Sequence, residues 1–303
     1  GAFFLHHEPK LLIESLIDSL TVNRIEIDMI EFSGIEFRHV DNRLMSLKLV
    51  QLGLSKAAMF GPTGAVLQPS EVLYKKCILV ERGSFRPVCN VNVDMLHAAY
   101  QVFSEEPEVK GEPILQLAEL SMRNLIAGDG NIDTRDFLAR ADLLCANGMT
   151  VLISDYFEYY RLRAYLNNFT KQKVGIVMGI PSLLDIFDEK YYLNLEGGIL
   201  ESFGRLFKNN VKLYVYPYLD PLSKIFITTE NAPISPETKK LYDYLMERGN
   251  IYQLTNHDPS CLQIFSRDIL KRIKNKDSSW EKMVSPQVAD MIKNRHYFGY
   301  QGQ

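Results

Sequence analysis

The stretch "LVERGSFRPV", residues 79–88, gathers Glu81, Arg82, Ser84 and Arg86 around a glycine. Two guanidiniums, a hydroxyl and the free N–H groups of a glycine turn are the groups that grip a carboxylate or phosphate. The competing reading is a salt-bridged strand end, Glu81 closing on Arg82 or Arg86. A second anion site is offered by "NLEGGILESFGRLF", 194–207. There Gly197 and Gly198 open a helix, whose first N–H groups are unpaired and whose dipole favours negative charge. The stretch fits neither G-x-G-x-x-G nor G-x-x-x-x-G-K-S/T, and close packing at Gly197, Gly198 and Gly204 is its alternative. In "FRHVDNR", 37–43, Asp41 caps a helix, and Arg43 points either back at a ligand or at Glu36.

Acid–base chemistry has two candidates. His257 is one, since a free imidazole has a pKa near ~6.5, which suits proton transfer at neutral pH. Asp155 stands where the apolar run "TVLIS" gives way to "DYFEYYRLRAYL". With Glu158 it has the spacing of a capping box, and as a site residue it would hold a ribose hydroxyl or a substrate amine. Cys261 follows His257 by four residues and is the thiol to test as a nucleophile.

Other chemistries find no pattern. G-x-S-x-G is absent. There is no H-E-x-x-H, and His6, His7, His39, His97, His257 and His296 are scattered, so no metal site is expected. "GDGNID", 128–133, lacks the later acidic positions of a calcium loop and reads as a turn. Asp28 and Glu31 fall on opposite faces of a strand. No motif specifies a cofactor.

These residues need elements to hold them. Residues 9–20 and 42–53 have helical spacing, 23–32 alternates like a strand, and 57–69 reads as a hairpin turning at Gly61-Pro62-Thr63-Gly64. A strand over 75–83 precedes a helix over 93–104. "FSEEPEVKGEP", 103–113, is acidic and aperiodic and reads as a linker. Helices over 114–126 and 134–147 follow. Strands over 149–154, 173–179, 211–217 and 250–255 then alternate with helices over 156–169, 182–188, 198–208 and 236–248, and helices over 261–275 and 285–294 finish the chain. Short, nearly continuous apolar strands between helices signal a parallel sheet buried on both faces. The expected architecture is α/β: a doubly wound, Rossmann-like, mostly parallel sheet over 114–303, a linker at 106–113, and a smaller α+β portion over 1–105. In such a sheet ligands bind beyond the carboxyl ends of the strands.

The chain has 303 residues, 46% hydrophobic and 23% charged, with a net charge of −3. The core is therefore sizeable, and no basic stripe recruits nucleic acid. Cys77, Cys89, Cys145 and Cys261 form no C-x-x-C pair and read as reduced thiols. No apolar run reaches the ~18–20 residues of a membrane span, and no signal peptide is visible, so a cytoplasmic location is expected. The tyrosine-rich strand edges point to a homo-oligomer.

"DEKYY" with "LEGGILESFGRLF", and the ending "SPQVADMIKNRHYFGY", resemble an uncharacterised bacterial protein family. Some of its members bear a mononucleotide adenylyltransferase label. The resemblance covers most of the chain and implies a longer N-terminus, this chain then being a fragment. Adenylyltransferase chemistry would use an H/T-x-G-H motif near a first strand, which is absent here, so no catalytic residue is carried over. The residues themselves imply a protein that binds a small anionic metabolite, phosphorylated, carboxylated or nucleotide-like. Arg82, Ser84 and Arg86 would hold the anion, with Asp155 and His257 at the sheet edge. The alternative is a non-catalytic subunit or scaffold that contacts other chains.

Overall fold

Apolar runs too short for helices become the strands of one large sheet. The computed structural model describes residues 5, 7–16, 26–126, 130–208 and 210–302. Its strands are β1 (Ala57–Phe60), β2 (Val66–Leu67), β3 (Cys77–Arg82), β4 (Ile114–Ser121), β5 (Thr150–Ser154), β6 (Val174–Gly179), β7 (Val211–Tyr216), β8 (Tyr218–Leu219), β9 (Phe226–Ile227) and β10 (Ile251–Gln253). The eight-stranded sheet has the order β10-β7-β6-β3-β4-β5-β1-β2, and β8 and β9 pair separately. β10, β7, β6, β3, β4 and β5 run parallel, while β1 and β2 form an antiparallel edge.

The helices, in chain order, are α1 (Pro9–Ser15), α2 (Asn42–Gln51), α3 (Pro69–Val72), α4 (Asn90–Phe103), α5 (Met122–Leu125), α6 (Thr134–Ala146), α7 (Tyr159–Leu166), α8 (Ile180–Ile186), α9 (Gly198–Leu206), α10 (Lys239–Glu247), α11 (Ser266–Lys274) and α12 (Pro286–Arg295). One face of the sheet is covered by α2, α4, α6, α11 and α12, the other by α7, α8, α9 and α10. This is the doubly wound, Rossmann-like α/β architecture. Alternation assigns each strand residue to a layer: Cys77 and Leu79 pack on the α4 side, Ile78 and Val80 on the α7 side.

Several expectations are corrected. Residues 114–121 form a strand, not a helix. Leu, Gln, Ala and Glu favour helix in isolation, but this run lies between β3 and β5 and pairs with both. The sheet crosses the expected boundary, since β3 lies between β4 and β6. Residues 106–113 are no free linker: Glu106 is buried and accepts bonds from Lys173, Tyr214 and, at 2.7 Å, Lys212. What stands apart in the N-terminal portion is a small satellite core of Ile13, Phe32, Met45, Leu49 and Leu54. Residues 26–33 form no strand: the Ile27 N–H donates to Leu54 O at 2.9 Å, and the Phe32 N–H is taken by the Asn42 side chain. Residues 17–25, with the end of the first expected helix and the start of the first expected strand, lie outside the described residues, as do His6 and residues 128 and 129 of the expected turn.

Gly175 shows how tightly the centre closes. A Cβ there would lie 2.7 Å from Leu79, 2.8 Å from Tyr214 and 3.2 Å from Phe103. Phe103 and Tyr214 meet edge to face at 5.8 Å across this gap. Gly175→Ala should destabilise the protein by about 1–3 kcal/mol through overpacking. Urea denaturation measures it, and an unchanged midpoint would contradict this packing.

Candidate functional site

The chain leaves β3 toward β4 and β5, then returns to the other flank of β3 as β6, so strand order reverses between β3 and β6. Beyond the carboxyl ends of these strands lies a cleft of about 610 Å³. It is where a doubly wound sheet places its ligand.

Its floor is a buried ion pair. Arg82 and Glu119 are register partners on β3 and β4, and their side chains emerge on the same face. Arg82 Nε donates to Glu119 Oε2 at 2.5 Å and Nη2 to Oε1 at 3.1 Å. Ser154, at the end of β5, donates its hydroxyl to Glu119 Oε1 at 2.5 Å. The remaining reach of the guanidinium goes to the carbonyls of Tyr156, at 2.8 Å, and Phe157. The Tyr159 ring covers it at 4.4 Å. Arg82 is thus occupied by its own chain: it straps the β5–α7 loop down and brings no free charge to an anion.

The walls come from the two helical layers. On one side stand Ser121, Arg123 and Asn124 of the α5 turn and Arg267 of α11. Arg123 sits 4.1 Å from the Phe157 ring centroid and 5.9 Å from that of Tyr191, and these rings meet edge to face at 5.3 Å. Among the described residues neither Arg123 nor Arg267 has an ion-pair partner. On the other side stand Glu158, Tyr159, Ser182, Asp185, Tyr191 and Tyr192. Asp185 is exposed and has no side-chain partner among the described residues, and Glu158 forms an ion pair with Arg161 at 3.5 Å.

A second buried arginine supports the rim. Arg140 pairs with Asp136 and donates to the carbonyls of Ser84 at 3.1 Å and Asn124 at 2.7 Å. Ser84 therefore lines the cleft, as its position after β3 suggests. Arg86 does not: its Nε is bound to Asp136 at 2.5 Å.

The other expected residues are dispersed. Glu81 alternates to the α4 side, fully buried, with Oε1 accepting from Asn92 at 2.7 Å and Oε2 without a partner among the described residues. Burial pushes its carboxyl up to about 8. Gly197 and Gly198 hold no open anion site: the Gly197 N–H is taken by Glu201 at 2.9 Å and the Gly198 N–H by Leu195 O at 3.0 Å. Arg43 is divided between Asp41 and Asp142, near the hairpin turn at the opposite end of the sheet. Asp155 is exposed, 3.6 Å from Lys56, and Glu158 takes the N-cap position of α7. His257 lies past β10 against Tyr216 and Phe226, each 5.8 Å away. β7, β6, β3 and β4 separate β10 from β5, so the ends of those two strands are roughly 24 Å apart at ~4.8 Å per strand. One small ligand cannot touch both Asp155 and His257. Cys261 is buried, and desolvation, with Asp94 and Asp258 nearby, pushes its thiol up to about 11, away from nucleophile character.

Sequence reading missed Glu119, Arg123, Asn124, Asp185 and Arg267. Reading "ILQLAELS" as a helix hid the first three. A strand there would have put "SMRN" at a carboxyl end, where cleft residues are sought.

No family model and no curated protein matches the chain. Among solved structures it is similar to the Plasmodium falciparum nicotinic acid mononucleotide adenylyltransferase complexed with NaAD, with 12% identity and a TM-score of 0.43 over 75% of this chain and 98% of that one. The same enzyme complexed with APC gives 11% identity and a TM-score of 0.45 over the same shares.

Two measurements probe the buried groups. Arg82→Met leaves Glu119 charged and uncompensated, and should cost about 3–5 kcal/mol in urea unfolding. Adding Glu119→Gln should recover part of that loss, and no recovery would contradict the pair as the source. Glu81 holds a proton in the folded state between its ordinary 4.5 and about 8 that the unfolded chain releases. Its contribution is therefore fully present below that window and is lost as pH rises through it. Glu81→Gln should flatten the fall in urea midpoint between about pH 5 and 8, and a slope identical to the parent's would refute the assignment.

Proposed function

We propose that the crevice at the β3–β6 switch binds a small anionic metabolite: phosphorylated, carboxylated or nucleotide-like. The reading is carried by Arg123 and Arg267, which face a cleft at the strand-order switch without carboxylate partners among the described residues. Guanidiniums match the geometry of carboxylate and phosphate oxygens. Arg123 is steadied on Phe157 and Tyr191, so less side-chain freedom is lost when it binds. The aromatic wall of Tyr159, Tyr191 and Phe157 suits a flat ring beside the anion. Ser84, Ser121 and Ser182 add hydroxyls at the strand ends.

A second reading, a subunit or scaffold with partner chains or a second copy, draws on the β8–β9 hairpin, where Leu222 is 91% exposed beside exposed Ile225 and Phe226. The tyrosines that suggested an interface support it less, since Tyr160, Tyr165, Tyr192, Tyr214 and Tyr216 are buried. No helix among the described residues is long and apolar enough to cross a membrane.

A thermal-shift screen against nucleotides, sugar phosphates and organic acids tests the first reading. A ligand at ~100 times its dissociation constant adds roughly 2.7 kcal/mol and raises the melting temperature. The shift should vanish in Arg123→Ala and weaken in Arg267→Ala, while Arg86→Ala keeps it. A flat screen on folded protein would overturn the reading and favour the second, as would a hit indifferent to both crevice arginines.

A further inference from the structure

The two walls of the crevice carry opposite charge, and they belong to different layers. Arg123 and Arg267 come from elements on the α4–α6 side, Glu158 and Asp185 from α7 and α8 on the opposite side. Between them the floor pair of Arg82 and Glu119 is internally neutral. No cross-wall ion pair forms among the described residues, although unlike charges line one cleft of about 610 Å³. Elsewhere this chain pairs such groups closely, as in Arg43 with Asp142 at 2.6 Å and Arg86 with Asp136 at 2.5 Å. A gap left open between unlike charges is complementary to a dipolar guest.

We infer that the crevice ligand is zwitterionic, carrying an ammonium group as well as its phosphate or carboxylate. The anion lies on Arg123 and Arg267, and the ammonium on Asp185, with Glu158 beside it. This rests on the anion-binding reading above and adds the chemistry of the ligand's other end. A purely anionic metabolite would place part of its charge or its apolar body against two carboxylates, which the facing wall disfavours. Asp185 is exposed, lines the cleft and holds no other side-chain bond among the described residues, so its carboxylate is available to an ammonium.

Isothermal titration with ω-aminoalkyl phosphates, from ethyl to hexyl, against alkyl phosphates of equal chain length separates the two claims. At one chain length the amine should tighten binding by about 10-fold or more, the usual size of a charge-assisted hydrogen bond. Asp185→Asn should remove most of that gain and leave the alkyl phosphate unchanged, whereas Arg123→Ala should weaken both. If alkyl phosphates bind but no amine gains at any length, the zwitterion inference falls and the anion site stands. If no member of either series binds, and the screen of anionic metabolites is also flat, both fall.

Discussion

The crevice depends on a charge pair taken out of water. Glu119 is wholly buried and Arg82 nearly so. Removing both ions from solvent is expensive, and their attraction repays that only with good geometry and full hydrogen bonding. Here Glu119 accepts from Arg82 and Ser154, and Arg82 also donates to the carbonyls of Tyr156 and Phe157, so four of its N–H groups are bonded. Three adjacent strands, β3, β4 and β5, are thereby tied at their carboxyl ends, and the loop that carries Phe157, Glu158 and Tyr159 is fixed relative to them. Arg140 does the same on the other side of the sheet, holding the carbonyls of Ser84 and Asn124. Two buried arginines thus set the shape of a cleft they do not themselves charge.

Strand alternation explains why neighbouring residues part company. Glu81 and Arg82 are adjacent in sequence but face different layers. One is a carboxyl kept neutral by burial under α4, the other an ion matched to Glu119 under α7. The same alternation stacks Gly175 between Leu79 and Tyr214, where only a residue without Cβ lets Phe103 reach the sheet. Sheet and helices are then close enough that polar groups at the strand ends must be satisfied locally, which is what the arginine straps accomplish.

Much of the fold was legible because its signals are local. The hairpin at 57–67, the strands 150–154, 174–179 and 211–216, and the cap at Asp41 follow from apolar runs, turn residues and a side-chain acceptor near a helix start. What failed was settled by distant partners. "ILQLAELS" has helical propensity, but its pairing with β3 and β5 decides its state. Asp155 with Glu158 has capping-box spacing, yet α7 starts only at Tyr159, and Asp155 turns to Lys56 of the neighbouring edge. Strand order, which puts His257 and Asp155 on different parts of the sheet, depends on which flank of β3 the chain returns to. No short window encodes that.

The expected anion site at Arg82 and Arg86 exposes a general difficulty. A dense cluster of charges in a sequence is as able to satisfy itself as to bind a guest, and here Arg82, Arg86, Arg140 and Arg43 all find carboxylates within the fold. The crevice charges without an ion-pair partner among the described residues lie far apart in sequence: Arg123 amid "LSMRNL", Arg267 in "FSRDIL", Asp185 amid "LLDIF". Apolar neighbours surround Arg123 and Asp185, while Asp268, next to Arg267, lies toward Lys271 at 3.9 Å, and the fold brings the three to a common cleft from separate elements. For a crevice of this kind, an unspent charge at a strand-order switch is a better guide to the ligand than the density of charge in the chain.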